Sequence, residues 1–292
     1  MAKLVLEGIF EIKVGPHFYS GSAAQNFLYE FQNQVPDRRH PLLEISARAI
    51  QYAVQLNEVD TASLANKLYA YNTVPLFFTP GDALKSFEEV EEFLRISKNS
   101  RLNRELLQNW NKHEPDQKYS WISWSRKQKR QHNARSNSTY KIYISPVLEE
   151  LPDVFEKSVH VLTGSDAFSF KIGMNREGLL RPDKFVAYFT EFDHLAAAAD
   201  RLVPVLKGHK AQGVPFTASL DDWGMLSWGV DTATDEVLKN REGGSWRAAV
   251  TEKLAASISL SKTEKLGPAE SVDFVLKKMM LEGVDPTTWT AV

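Results

Sequence analysis

Three short runs alternate their side chains between two faces: "YKIYIS" at 140–145, "FSFKIG" at 168–173 and "KFVAYF" at 184–189. Stretches of helical spacing separate them, so this part of the chain has to fold around a sheet covered by helices. In the first run Lys141, Tyr143 and Ser145 share one face and Ile142 and Ile144 the other. In the second, Ser169 and Lys171 oppose Phe168 and Phe170; in the third, Lys184, Val186 and Tyr188 are co-facial, with Arg181 just ahead. If the phenylalanines and isoleucines face the helix layer, the other face gathers three lysines and two tyrosines. Two readings of that face stand open: the wet side of an antiparallel sheet, or an anion pocket with a lysine available for proton abstraction.

The rest of the chain divides near its middle. Beyond residue 138, "DVFEKSVHVL" and "HLAAAADRLVPVLKG" read as helices, the second kinked by Pro204, and "GVPFTASL" and "GMLSWGV" read as strands. "SWRAAVTEKLAASI", capped by Ser245, and "ESVDFVLKKMMLEG", stopped at Gly283, complete it as helices. Ahead of residue 138, "LLEISARAIQYAVQL" repeats Leu43, Ile45, Ala47, Ile50, Ala53 and Val54 at helical spacing, and Asp60 caps "TASLANKLYAY". A further helix is expected in "TPGDALKSFEEVEEFLRI", opened by a Pro-Gly turn and an Asp cap. In "YSWISWSRKQKRQHNARSNST" Lys and Arg supply five of the ten residues 126–135, which reads as an exposed loop or linker able to receive an acidic or phosphorylated leader peptide. The fold class is α+β: a mainly helical region with a basic linker over 1–137, then 138–292 around a mixed or antiparallel sheet.

Charge and motifs narrow the chemistry. Thirty-five basic residues against 37 acidic ones give a net charge of −2, which removes any global argument for nucleic-acid or membrane-surface partners. Cysteine is absent, so disulfides, thiolate metal sites and a cysteine nucleophile are excluded, and a cytoplasmic location is expected. No apolar run suits a signal peptide or a spanning helix. The seven histidines show no HxH or HExxH spacing, so no metal is expected; no GxGxxG, Walker loop or GxSxG elbow appears. What remains is the set of cations, joined by Arg247. That residue falls in the first turn of a helix, where the macrodipole disfavours a cation unless an anion is bound there. Trp223, Trp228 and Trp246 read as core or rim packing.

From Tyr140 onward the chain resembles the phosphothreonine-lyase superfamily: type III effector lyases, the lyase domains of lanthipeptide synthetases, and Hop-type effector-like lyases of lanthipeptide and thioamitide pathways. The resemblance covers about half the chain. "YKIYIS" is similar to the effectors' Lys-x-His strand, "FSFKIG" to a Phe-x-x-Lys strand, and "RPDKFVAYF" to the synthetases' Arg…Gly-Lys-Phe-x-x-Ile-Tyr segment. "GVPFTASLDDWGMLSWGV" is placed like a Gly-Pro…Ser-Asp…Tyr-Arg-Tyr-Gly stretch, and "GGSWRAAVTEKLA" like a Ser-Phe-Gly…Arg segment. Two departures are visible: Tyr143 stands where the effectors have a histidine, and Ser227-Trp228-Gly229 lacks the arginine the synthetases place before Tyr-Gly.

The resemblance implies a lyase-like domain over 138–292 that β-eliminates phosphate from phosphoserine or phosphothreonine in a peptide, without metal or organic cofactor. It makes Lys171 the base, Tyr143 the general acid, Lys141 a carbonyl or phosphate stabiliser, and Arg181, Lys184, Tyr188 and Arg247 the phosphate and substrate ligands. The partner it implies is a phosphorylated precursor peptide, with a separate kinase because this chain has no ATP motif, and dehydroamino acids as products. Two alternatives remain at this level: a non-catalytic peptide- or partner-binding protein of the same fold, and a host-directed effector lyase.

Overall fold

Contacts gather the chain into two compact units that do not part at residue 138. One comprises Met1–Tyr71, Pro215–Ala218 and Arg247–Val292; the other comprises Asn72–Val214 and Ser219–Trp246. The computed structural model describes residues 2–14, 17–28, 40–58, 60–75, 84, 86–116, 121–127, 138–232 and 245–291. Most of the basic run, and the Pro-Gly turn with its Asp cap ahead of "ALKSFEEV", lie outside the described residues.

The first unit opens with α1 (Ala2–Leu6), the hairpin β1 (Ile12–Val14) and β2 (His17–Tyr19), then α2 (Gly21–Leu28), α3 (Pro41–Gln55) and α4 (Thr61–Tyr69). Asp60 caps α4 by accepting from Ser63 N at 2.7 Å, as its sequence position predicts. In α3 the buried stripe is Leu42, Ile45, Ser46, Ala49, Ile50 and Ala53, so the helix is turned from the expected phase. The hydroxyl of Ser46 explains part of that turn: it donates to Leu42 O at 2.7 Å and accepts from Phe216 N at 2.9 Å, so this polar residue is satisfied inside.

The second unit is built on a sheet. It contains α5 (Phe87–Phe93), α6 (Arg101–Asn109), β3 (Trp110–Asp116), β4 (Trp121–Arg126), β5 (Ser138–Ile144), α7 (Leu151–Thr163), β6 (Ser169–Gly173), α8 (Arg176–Leu180), β7 (Phe185–Phe189), α9 (Phe192–Leu206) and β9 (Leu226–Thr232), while the two residues of β8 (Ala218–Ser219) fall where the chain passes from the first unit back to the second. The strand order is β3-β4-β6-β7-β5-β9-β8, and the described neighbours among β3, β4, β6, β7, β5 and β9 are antiparallel. This corrects the linker reading of "WISWSR": the segment is β4, paired on both sides, with Ile122 and Trp124 fully buried. Arg126, first of the basic run, is structural as well. Its guanidinium donates to the carbonyls of Leu162, Thr163, Ser165 and Ala167, closing the end of α7.

One face of the sheet packs on α7 and α9 as the alternation predicts. Phe170 stacks on Trp124 with centroids 4.9 Å apart and meets Trp110 edge-on at 4.8 Å, and Phe155 of α7 lies 5.2 Å from Phe185. Ile142, Ile144, Leu195 and Leu202 complete this layer with no exposure. Of the "GVPFTASL" run, only Ala218–Ser219 is a strand.

The chain then returns to the first unit through α10 (Trp246–Thr263) and α11 (Pro268–Leu281), ending in the short pair β10 (Val284–Asp285) and β11 (Thr290–Ala291). Gly283, at φ +79°, stops α11 as expected. The first amide of α10, Trp246 N, is taken by the Asp231 carboxylate at 2.9 Å. No helix among the described residues is long and apolar enough to cross a membrane.

Candidate active site

Residues directly opposite in an antiparallel ladder point to the same face. On the face away from α7 and α9, one row runs His113, Ser123, Lys171, Val186, Tyr143, Ser227 across β3, β4, β6, β7, β5 and β9. The next row runs Asn111, Ser125, Ser169, Tyr188, Lys141, Gly229. The expected gathering of Lys141, Tyr143, Lys171 and Tyr188 on one face is therefore met.

Aromatic rings join the cations. Lys171 Nζ lies 4.2 Å from the centroid of the Trp121 ring and 5.9 Å from that of Tyr188. The Arg181 guanidinium carbon lies 5.3 Å from the same indole, and Lys141 Nζ 5.7 Å from the same phenol. Trp121 thus bridges Lys171 to Arg181, and Tyr188 bridges Lys171 to Lys141.

The outer two cations each carry a carboxylate. Arg181 donates from Nε and Nη2 to the two oxygens of Asp183, at 2.8 and 2.9 Å, and Lys141 pairs with Asp231. This bidentate grip fixes the plane of the guanidinium. Among the described residues Lys171 has no hydrogen-bonding or carboxylate partner, only its two rings. Burial foremost, and then the Lys141 ammonium, push its pKa down to about 8; Arg181 acts the same way, while Asp183 and Asp231 oppose them. At pH 7 about a tenth of Lys171 is then a free amine, a base poised near working pH.

Three expected site residues stand differently. Lys184 keeps its place in the alternation, but its ammonium is fully buried and donates to Pro146 O at 2.8 Å and to the Gln212 side-chain oxygen. Burial, opposed by Asp183 and Glu149, pushes its pKa down to about 7. Its geometry is that of a strut under the strand, not of a phosphate ligand, because its donors are turned to inward acceptors. Arg247 belongs to the first unit, where it is 1% exposed; Nε donates to Pro215 O at 3.1 Å, Nη2 donates to Tyr69 O, and the guanidinium lies 4.2 Å from the Tyr69 centroid. Tyr143 is 4% exposed and its ring packs with Val186 and Val214.

Trp121, Asp183 and Asp231 escaped the sequence reading. The alternation of "WISWSR" carried a signal for Trp121, but the basic run beside it pointed to a linker. The two aspartates have no spacing signature, since each is recognised only through the cation it meets. Among the described residues no group of three His, Asp or Glu side chains stands ready to hold a metal ion.

The fold, an antiparallel sheet with one helix-covered face, is shared with bacterial effector proteins. An effector from Pseudomonas syringae pv. syringae strain 61 matches at 11% identity and a TM-score of 0.54, over 85% of this chain and 97% of its own. One from Pseudomonas syringae pv. tomato strain DC3000 matches at 12% identity and a TM-score of 0.50, over 87% and 98%. The likeness in fold therefore extends well beyond the half of the chain that carries the motifs. The solved matches also include the VirA (SpvC) phosphothreonine lyase effector of Chromobacterium violaceum, at 15% identity and a TM-score of 0.37, over 65% of this chain and 92% of its own. No protein-family profile and no curated protein sequence matches the chain.

Proposed function

We propose that this protein is a phosphopeptide lyase that eliminates phosphate from phosphoserine or phosphothreonine. The observation that carries the reading is Lys171: a half-buried amine with its pKa brought to about 8, set between Trp121 and Tyr188 and flanked by two cations held by their own carboxylates. As the free amine, Lys171 takes the Cα proton. The electron pair of that bond forms the Cα–Cβ double bond as the Cβ–O bond breaks, and the phosphate leaves with the oxygen. Lys141 and Arg181 meet the charge that builds on the carbonyl and on the departing group. Tyr188 orients the substrate, and Tyr143 occupies the place the motif gives to the proton donor. Asp183 and Asp231 keep the three cations together before the anion arrives.

In this reading a separate kinase supplies the phosphorylated peptide, and the dehydroamino acid product suits the maturation of a peptide natural product. A second reading, a lyase acting on a phosphorylated host protein, is favoured by the fold likeness to two effector proteins over 85% and 87% of the chain. Incubation with a phosphothreonine peptide should release inorganic phosphate and leave a peptide lighter by phosphoric acid, read by mass spectrometry. Lys171→Met should lower the rate by roughly a hundred-fold or more while keeping the wild-type circular dichroism spectrum; undiminished turnover would remove Lys171 as the base. Rapid elimination from a folded phosphoprotein, with none from a Ser/Thr-rich phosphopeptide, would select the second reading.

A further inference from the structure

We infer that the peptide segment flanking the phosphorylated residue lies extended across β4 and β3, on a lane formed by Ser169, Ser125, Ser123 and His113. This rests on the lyase reading and names the surface that holds the substrate's main chain.

From Lys171 the sheet face is closed in two directions and open in one. Along its own row toward β7 and β5 come Val186 and Tyr143, 3% and 4% exposed, covered by the fully buried Val214 with Tyr188 packed alongside. At the Gly173 end, Trp121 stands over Lys171 and Arg181. Toward β4 and β3 the same face carries Ser123, Ser125, Ser169, Asn111 and His113, all at least partly exposed. His113 Nε2 lies 2.7 Å from Ser125 Oγ, which ties the two outer strands of the lane at side-chain level.

The composition of this lane is not set by the core. The opposite face of the same strands is filled by Ile122, Trp124 and Phe170, and the residues enriched in strands are β-branched and aromatic ones, not serine. Small hydroxyls leave a shallow, uncharged floor that a peptide backbone can approach. Each hydroxyl both donates and accepts, as does a neutral imidazole, so the floor suits the N–H and C=O groups of an extended chain rather than particular side chains. Strands stand about 4.8 Å apart, so His113, two strands from Lys171, lies about 10 Å away. Three extended residues span that distance. The occupant is thus a phosphopeptide whose phosphorylated residue meets Lys171 and Arg181 and whose next three or so residues cross Ser123 and Ser125 toward His113.

The test compares two substrates with the same phosphothreonine: a long peptide with several residues on each side, and the single residue blocked as its N-acetyl amide. Ser125→Val and His113→Ala each remove lane hydrogen bonds without touching the cations. Each should raise KM for the long peptide about five- to ten-fold, with kcat unchanged, and leave KM for the blocked residue where it was. Equal changes on both substrates, or no change on either, would overturn the lane. Fluorescence anisotropy of labelled forms of both compounds reads the lane without turnover: the wild type should bind the long one more tightly, and the variants should lose only that difference. Absence of elimination from either compound, with the anisotropy difference intact, would overturn the lyase reading and leave the lane standing.

Discussion

A lysine meets the demands of a carbon base only when its ammonium is made costly, and here burial and a neighbouring cation do this at Lys171. Because the free amine is the working form, kcat/KM should rise about tenfold per pH unit below about 8 and level off above it. The neighbours fix the sign of two variants. Lys141→Ala removes a cation that holds the pKa down, so the acid limb should move to higher pH; Asp183→Asn removes an anion that holds it up, so the limb should move to lower pH. Shifts of the same sign in both pH–rate profiles would contradict this electrostatic arrangement. Much of this was legible beforehand, because a two-residue period assigns Lys141, Lys171 and Tyr188 to one face wherever the strands lie. The period could not separate Lys184 from them: it shares their face, and only the acceptors at Pro146 and Gln212 decide where its ammonium goes.

Among the elements, the turn from β6 into α8 places Arg181. The two meet so closely that a Cβ on Gly173 would stand 2.5 Å from the carbonyl carbon of Gly178, and Asn175 fixes the start of α8 by accepting from Gly178 N at 2.8 Å. Gly173→Ala should therefore push α8 away, lowering stability by about 1–3 kcal/mol, measured by denaturant unfolding, and raising KM for the phosphopeptide because Arg181 follows α8 directly. Unchanged stability and KM would mean that the turn relaxes freely. The strands of the second half were readable because their apolar faces alternate cleanly. The strand β4 alternates just as cleanly, but the cationic residues that follow it carried the opposite message, and pairing with β6 across more than forty residues overrode it.

For the molecule as a whole, a division at residue 138 is natural by composition but cuts through the sheet. A fragment of 138–292 would lack β3 and β4, stripping Trp110 and Trp124 from Phe170 and leaving β6 as a bare edge. It should aggregate or unfold without cooperativity in a thermal melt, whereas the full chain should melt cooperatively; a soluble, cooperatively folding fragment would restore the division. The strand order has a temporal consequence as well. Strands β6 and β7 are sequence neighbours and pair early, bringing Lys171 and Arg181 together, while β5 is enclosed between β7 and β9, both encoded after it. Distant pairings close slowly, so the docking of β5, first against β7 and then against β9, is the step that sets Lys141 beside the base and adds its repulsion to the effect of burial.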